Sequence, residues 1–403
     1  MIKSKLQKYN QQQLLMFENQ LSEEEKADLY SQIESLDFSY LDNLCEAKRE
    51  NVKISPIKAM TVAEIDSQKE RFEKIGLMAL SNQEVGALLL AGGMGTRLGS
   101  DKPKGMYDIG KTKTVYIFQR IIENLLEVVN KCGKMVPLFV MTSEKNNEDT
   151  MAFFEEQEYF GYDKNYIKFF VQEMAPCVDL NGKVLLEQKG RVATSPNGNG
   201  GWFSSLLACE EAKEMLEKFN IKWLNVFAVD NVLQKIADPV FVGATIEGEY
   251  EVGSKVIRKV GPYEKVGVMC KKNGRPSVVE YIDLTDEMAL ETDENGERVY
   301  NFGVILNYLF SVDLLYQIKD NKLPVHVVTK KVEHINERGE KVVPSEPNAH
   351  KFEMLCVDMV EFSPNCLPFE VVREKEFAPI KNKEGVDSVE TAQKLLEQNG
   401  YIL

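Results

Sequence analysis

The chain has 403 residues, 43% of them hydrophobic and 28% charged, which supplies a sizeable core and excludes a disordered or low-complexity polymer. Forty-nine Lys and Arg against 63 Asp and Glu leave a net charge of −14, a poor footprint for nucleic acid or an anionic membrane, so an anionic ligand needs its own cluster of bases. Seven scattered cysteines (Cys45, Cys132, Cys177, Cys209, Cys270, Cys356, Cys366) form no C-x-x-C pair, and no apolar run reaches membrane-spanning length, so a soluble cytoplasmic protein with reduced thiols and no zinc site is expected.

Residues 1 to about 82 read as helical. Ser22 with Glu25 three places on is a capping-box start, Leu29, Ile33 and Leu36 follow at helical spacing, and Leu14, Phe17 and Leu21 make a similar stripe just before. Such stripes are most simply core faces. The texture changes at Ala87, where Ala-Leu-Leu-Leu-Ala is an apolar run of strand length ended by glycines, the mark of a buried parallel strand. Val115 to Val129 then has helical periodicity, and Met135 to Met141 is a second apolar run. Further strands are predicted at Ile167 to Val171, Trp223 to Val229, Val266 to Cys270 and Pro324 to Thr329, with a helix over Phe203 to Phe219. Asp293 to Glu297, with its Asn295-Gly296 pair, and Asn336 to Glu340 read as hairpin or surface turns. Strands alternating with helices predict an α/β fold: a mixed, mainly parallel Rossmann-like sheet flanked by helices, with ligands at the carboxyl ends of its strands. The expected organisation is a helical region over 1–82, a catalytic domain over 83–381 and a short tail over 382–403.

The strongest local signal is LLLAGGMGTRLGSDKPKG, Leu88 to Gly105. Gly92, Gly93, Gly95 and Gly99 in a turn after a buried strand let main-chain N–H groups approach phosphate oxygens or a flat base, which a Cβ would prevent. Arg97, Lys102 and Lys104 supply the local bases that the acidic chain otherwise lacks. The turn is not a Walker A loop, because Ser-Asp-Lys follows Gly99, and it is not a dinucleotide turn, because Gly93 and Gly95 are followed by a glycine one residue too late. Downstream, Asp230 ends the apolar run WLNVFAVD, where a lone acid serves as a turn or cap residue as readily as a ligand.

AGGMGTRLG followed by KPKGMYDIG resembles the signature of the UDP-sugar pyrophosphorylases, in particular the UDP-N-acetylhexosamine pyrophosphorylase branch. The similarity continues in order through SEEEKADLYSQIESLDF, MTSE at Met141, FVQEMAP at Phe170, SPNGNGG at Ser195, AVDNVLQKIADPVF at Ala228, VGVMCKKNGRPSVVEY at Val266, PNAHKFEM at Pro347 and EFAPIKN at Glu376. It implies transfer of a uridylyl group from UTP to a sugar 1-phosphate, most readily N-acetylglucosamine 1-phosphate, giving a UDP-sugar and pyrophosphate. The substrate supplies the nucleophile, in keeping with His326, His334 and His350 standing near no candidate nucleophile. By this resemblance Gly92 and Gly93 meet the nucleotide, Gln172 reads the uracil edge and Gly198 closes its other side. Arg97 and Lys104 take the departing pyrophosphate, Asp230 holds Mg²⁺, Asn199, the Gly267 backbone and Glu280 contact the sugar, and Lys351 and Lys381 bind phosphate.

Three departures stand out. The family's Asn-x-Gly-Asn is here Asn301-Phe302-Gly303-Val304, so a polar sugar contact is apolar, and two usual aromatics are Leu355 and Val357. A plain hexose, glucose or galactose, is therefore the alternative sugar. Only 22 residues follow Lys381 where eukaryotic members carry a further domain, so a monomer is expected. A non-catalytic UDP-sugar sensor is the competing class. An oxidoreductase lacks the glycine spacing.

Overall fold

The computed structural model describes residues 2–44 and 52–403, so Cys45 lies outside the described residues. Two units are present. One comprises 52–171, 202–321 and 357–403; the other gathers the described residues of 1–51 with 172–201 and 322–356.

The larger unit is built on a ten-stranded sheet. Four parallel strands lie side by side in the order Trp223–Ala228, Val85–Leu90, Leu138–Thr142, Ile167–Val171. Every residue of Val85–Leu90 is buried, because both its edges are paired and both its faces are covered. The register sets Leu90 opposite Ala228 on one side and Met141 on the other, so the chain leaves these strands along one edge. Phe302–Ser311 adds to Trp223–Ala228 in antiparallel sense, and Val252–Arg258 pairs antiparallel with it and parallel with Leu367–Glu370. The fold is thus the expected mixed α/β arrangement. The helix Ile117–Cys132 buries Ile117, Ile121, Leu125 and Val128 at helical spacing, each worth about 1.5–3 kcal/mol of transfer free energy.

The helix read over Phe203 to Phe219 is two helices, Trp202–Ala208 and Glu210–Lys218, broken where Cys209 takes an extended conformation (φ −92°, ψ 109°). The long strand Val252–Arg258 went unread because Lys255 interrupts its apolar character. That lysine is fully buried, its charge met by Asp238 and Glu376.

In the smaller unit, the capping box of Ser22 and Glu25 starts the helix Glu23–Ser35, whose Leu29 and Ile33 are buried. Leu14, Phe17 and Leu21 are buried too, but from short 3₁₀ turns rather than one helix. The buried Gln11 carboxamide interrupts the helical ladder, donating to the Gly182 carbonyl (2.9 Å) and accepting from the Val184 N–H (2.8 Å). These side chains share a core with Ala175, Val178, Val184 and Phe352. A three-stranded sheet, His326–Lys330, Ala349–Glu353 and Val178–Asp179, and the Asn336 to Glu340 hairpin complete the unit.

This division differs from the expected boundaries. The helix Val62–Ser81, read with the N-terminal region, belongs to the larger unit. Gly76 and Gly243 let it meet the helix Pro239–Glu247 backbone to backbone: a Cβ on either would fall within 2 Å of a carbonyl oxygen of the other helix. Residues 382–403 are not a loose tail either, since Ala392, Leu396 and Leu403 join the main core and the Leu403 carbonyl accepts from the Thr112 N–H at 2.8 Å. Among the described residues no helix is long and apolar enough to cross a membrane, no disulfide joins the cysteines, and no three His, Cys, Asp or Glu side chains gather as a metal cage.

Candidate active site

The glycine turn leaves the sheet directly from Val85–Leu90. Its shape is fixed from inside: the buried Asn146 side chain donates to the Ala91 carbonyl at 2.9 Å and, more weakly, to that of Gly93 at 3.4 Å. Across the loop, Lys104 N–H donates to the Gly93 carbonyl (3.1 Å) and Gly95 N–H to the Lys102 carbonyl (2.8 Å). The Gly92 and Gly93 N–H groups have no partner among the described residues, and a Cβ built on Gly93 would meet nothing within 4 Å. Two unpaired donors and the open flank of Gly93 therefore stand at this turn, as an anion or base edge requires. Asn146 escaped the sequence reading because nothing in MTSEKNN marks one asparagine as the anchor.

Beside the turn, Lys104 Nζ stands 3.7 Å from the Asp230 Oδ2, their side chains 16% and 24% exposed. That separation is an ion contact rather than a tight hydrogen bond, and it leaves the Asp230 oxygens room for another cation. Burial pushes the Lys104 ammonium below its ordinary value; Asp230 opposes this, while Arg97 and Lys381 push the same way. Lys104 thus meets Asp230 at the ends of two adjacent parallel strands with the charges of Arg97 and Lys381 acting on it, while the Lys381 ammonium itself pairs with Asp387 at 3.2 Å. Arg97 is exposed and has no partner among the described residues.

Lys381 comes from far along the chain, and backbone pairing brings it in. Ile380 N–H donates to the Asp230 carbonyl (2.9 Å), and Asn231 ties the same segment by accepting from Ala378 N–H (2.9 Å) and donating to the Glu376 carbonyl (2.8 Å). Asn231 is a second site residue the sequence reading passed over. Gly267, Glu280 and Val304 form another cluster of the larger unit: Val304 N–H donates to the Gly267 carbonyl at 2.9 Å, and a Cβ on Gly267 would lie 3.4 Å from both a Glu280 carboxylate oxygen and a Val304 methyl.

The smaller unit holds the remaining four residues. Gln172 is only 7% exposed, and its carboxamide has no partner among the described residues. Lys351 is half-buried in the strand Ala349–Glu353, opposite Val328, with its ammonium unpaired among the described residues. The Asn199 Oδ1 accepts from Cys356 N–H at 2.9 Å, so only its amide N–H₂ remains to donate. Gly198 sits at φ +88°, where a Cβ would lie 2.2 Å from the Met354 carbonyl oxygen. Gly198→Ala is expected to destabilise the protein by about 2–4 kcal/mol, combining positive-φ strain with a backbone clash. A lowered urea midpoint checks this; an unchanged one contradicts it.

A family model described as UTP–glucose-1-phosphate uridylyltransferase matches residues 36–397. UDP-N-acetylhexosamine pyrophosphorylase-like protein 1 of Mus musculus is 34% identical over 411 residues, covering 96% of this chain and 81% of that protein. UDP-N-acetylglucosamine pyrophosphorylase of Saccharomyces cerevisiae is 36% identical over 364 residues, covering 86% of this chain and 76% of that one. Among solved structures, the uridine diphosphate N-acetylglucosamine pyrophosphorylase from Trypanosoma brucei, in complex with an inhibitor, superposes with a TM-score of 0.84 at 30% identity, covering 98% and 83% of the two chains. The chain therefore belongs to the UTP–glucose-1-phosphate uridylyltransferase family, in its UDP-N-acetylhexosamine pyrophosphorylase branch, as the sequence motifs led one to expect.

Proposed function

We propose that this chain catalyses uridylyl transfer from UTP to N-acetylglucosamine 1-phosphate, releasing UDP-N-acetylglucosamine and pyrophosphate. A phosphate oxygen of the sugar phosphate attacks the α-phosphorus, and the bond from that phosphorus to the β-phosphate bridging oxygen breaks. The observation that carries this reading is the Lys104–Asp230 contact at 3.7 Å, with the charges of Arg97 and Lys381 acting on the same lysine, together with the unpartnered Gly92 and Gly93 N–H groups of the adjoining turn. Such a constellation suits a polyphosphate whose leaving end gains charge as the bond breaks.

In this reading Gln172 pairs with the uracil edge, its largely buried side chain ending in an unpartnered carboxamide that offers both a donor and an acceptor, and Gly198 closes the other side of the base. Asn199, through its remaining amide N–H₂, the Gly267 backbone and Glu280 hold the sugar, and Lys351 and Lys381 hold phosphate. Asp230 suits Mg²⁺: it is one partly exposed carboxylate with a cation no nearer than 3.7 Å, and magnesium takes one or two carboxylates with phosphate oxygens. Bound there, the ion would neutralise charge on the phosphate oxygens.

The sugar follows from the relatives named for N-acetylglucosamine. The alternative, glucose or galactose, is favoured by the apolar Val304 beside Gly267 and Glu280. Pyrophosphate release from UTP and Mg²⁺ with each of the three sugar 1-phosphates tests both. No release with any sugar overturns the enzyme reading; release with a plain hexose alone moves the sugar. The proposed working form is a single protomer in the reducing cytoplasm. Sedimentation should show one protomer at low micromolar concentration, and a stable dimer would overturn that.

A further inference from the structure

Lys255 has no exposed surface, yet it carries a charge in the middle of the strand Val252–Arg258. Its Nζ lies 2.6 Å from one Glu376 carboxylate oxygen and 3.0 Å from Asp238 Oδ2, while Lys235 Nζ holds the other Glu376 oxygen at 3.3 Å. Lys255, Asp238 and Glu376 are thus buried together, and Lys235, its side chain 58% exposed, completes the charge balance from the surface. A buried ion network of this kind gives little net stability over an apolar core, but it fixes directions that apolar contacts leave loose.

The direction fixed here is that of Glu376. Its main-chain carbonyl accepts from Asn231 Nδ2, Asn231 Oδ1 accepts from Ala378 N–H, and Ile380 N–H donates to the Asp230 carbonyl. The segment from Glu376 to Lys381 is therefore anchored at its first residue by ions and along its length to the residue pair Asp230-Asn231, while at its far end Lys381 is held by Asp387, which accepts from the Lys381 N–H at 2.7 Å and pairs with its ammonium at 3.2 Å. We propose that Glu376, held by Lys255, is a positioning residue for the transfer reaction: it sets where the Lys381 ammonium stands relative to Asp230 and Lys104. This rests on the phosphate role given to Lys381 above.

The test is a double-mutant cycle in the full chain, read as kcat and the KM for UTP. Glu376→Gln should lower kcat by about tenfold or more, because small misplacements of a charge-stabilising group are costly, while the KM for UTP changes less than about threefold. In a Lys381→Ala background the same substitution should cost less than about twofold, since the group it positions is already gone. Lys255→Met with Glu376→Gln removes one charge of each sign and leaves Lys235 to balance Asp238, with a thermal melt reporting whether the pair folds, and Asn231→Ser breaks the backbone tie without touching the ions. Both should repeat the kcat loss and its disappearance beside Lys381→Ala.

Losses that multiply in full with an impaired Lys381→Ala overturn the inference, as does native kcat in the charge-balanced pair or in a folded Glu376→Gln protein whose melting temperature has fallen. Native turnover from Lys381→Ala alone overturns instead the phosphate role of Lys381.

Discussion

Turnover of the Lys104→Ala variant is expected to fall by about 10²–10³-fold, equivalent to about 2.7–4 kcal/mol of transition-state stabilisation, with UDP-sugar binding nearly unchanged. The asymmetry follows from where the ammonium stands. It is 16% exposed, and burial, Arg97 and Lys381 all disfavour its charge, with Asp230 opposing them. A polyphosphate gaining charge at its leaving end offsets that cost, whereas a UDP-sugar carries no leaving pyrophosphate. The same variant separates an enzyme from a sensor, because a sensor needs base and sugar contacts but no grip on pyrophosphate. Pyrophosphate release and calorimetric UDP-sugar titration give the two readouts. Native turnover, or binding lost in parallel with rate, contradicts the assignment.

Asp230→Asn is expected to lower turnover by about 10²-fold and to raise the Mg²⁺ concentration for half-activation by about tenfold or more. The neighbouring Asn231 cannot take over, since its oxygen accepts from Ala378 N–H and its amide donates to the Glu376 carbonyl. The substitution keeps the size of the side chain and leaves the carbonyl that receives Ile380 N–H in place, so the local backbone should persist. A magnesium titration of the rate, beside a thermal melt, decides the matter. An unchanged magnesium requirement would remove Asp230 as the ion's ligand.

Much of the candidate site around the glycine turn was legible in the sequence because its physics is local. A buried strand, a glycine turn and three bases lie within Leu88 to Gly105, and a run such as Trp223–Ala228 announces the acid that follows it. The grouping of Lys104 with Lys381 was expected only through family resemblance; the pairing of Ile380 with Asp230 supplies its physical cause. What stayed hidden were residues whose importance is relational. Asn146, Asn231 and Glu376 are ordinary polar letters until their partners are known, and Lys255 concealed a strand because a charge in an apolar run reads as surface. The boundaries failed for a related reason: the Gly76 and Gly243 contact assigns a helix by close approach, which periodicity does not register. Asn199 shows a subtler gap, since a residue read as a sugar contact already gives one of its two polar ends to Cys356.

The smaller unit is drawn from three stretches of chain separated by long excursions into the other unit. At a synthesis rate of about 5–20 residues per second, roughly 15–60 s pass between the emergence of its first stretch from the ribosome and that of its last. Through that interval Leu14, Phe17, Leu29 and Ile33 lack Phe352 and the half-buried Val325, Ile335 and Met354 that pack on their core. Until Ala175, Val178 and Val184 are made the nascent N-terminal segment has no core to join, and until Phe352 is made that core stays incomplete, so premature stop codons upstream of residue 349 should yield aggregating rather than partly working products.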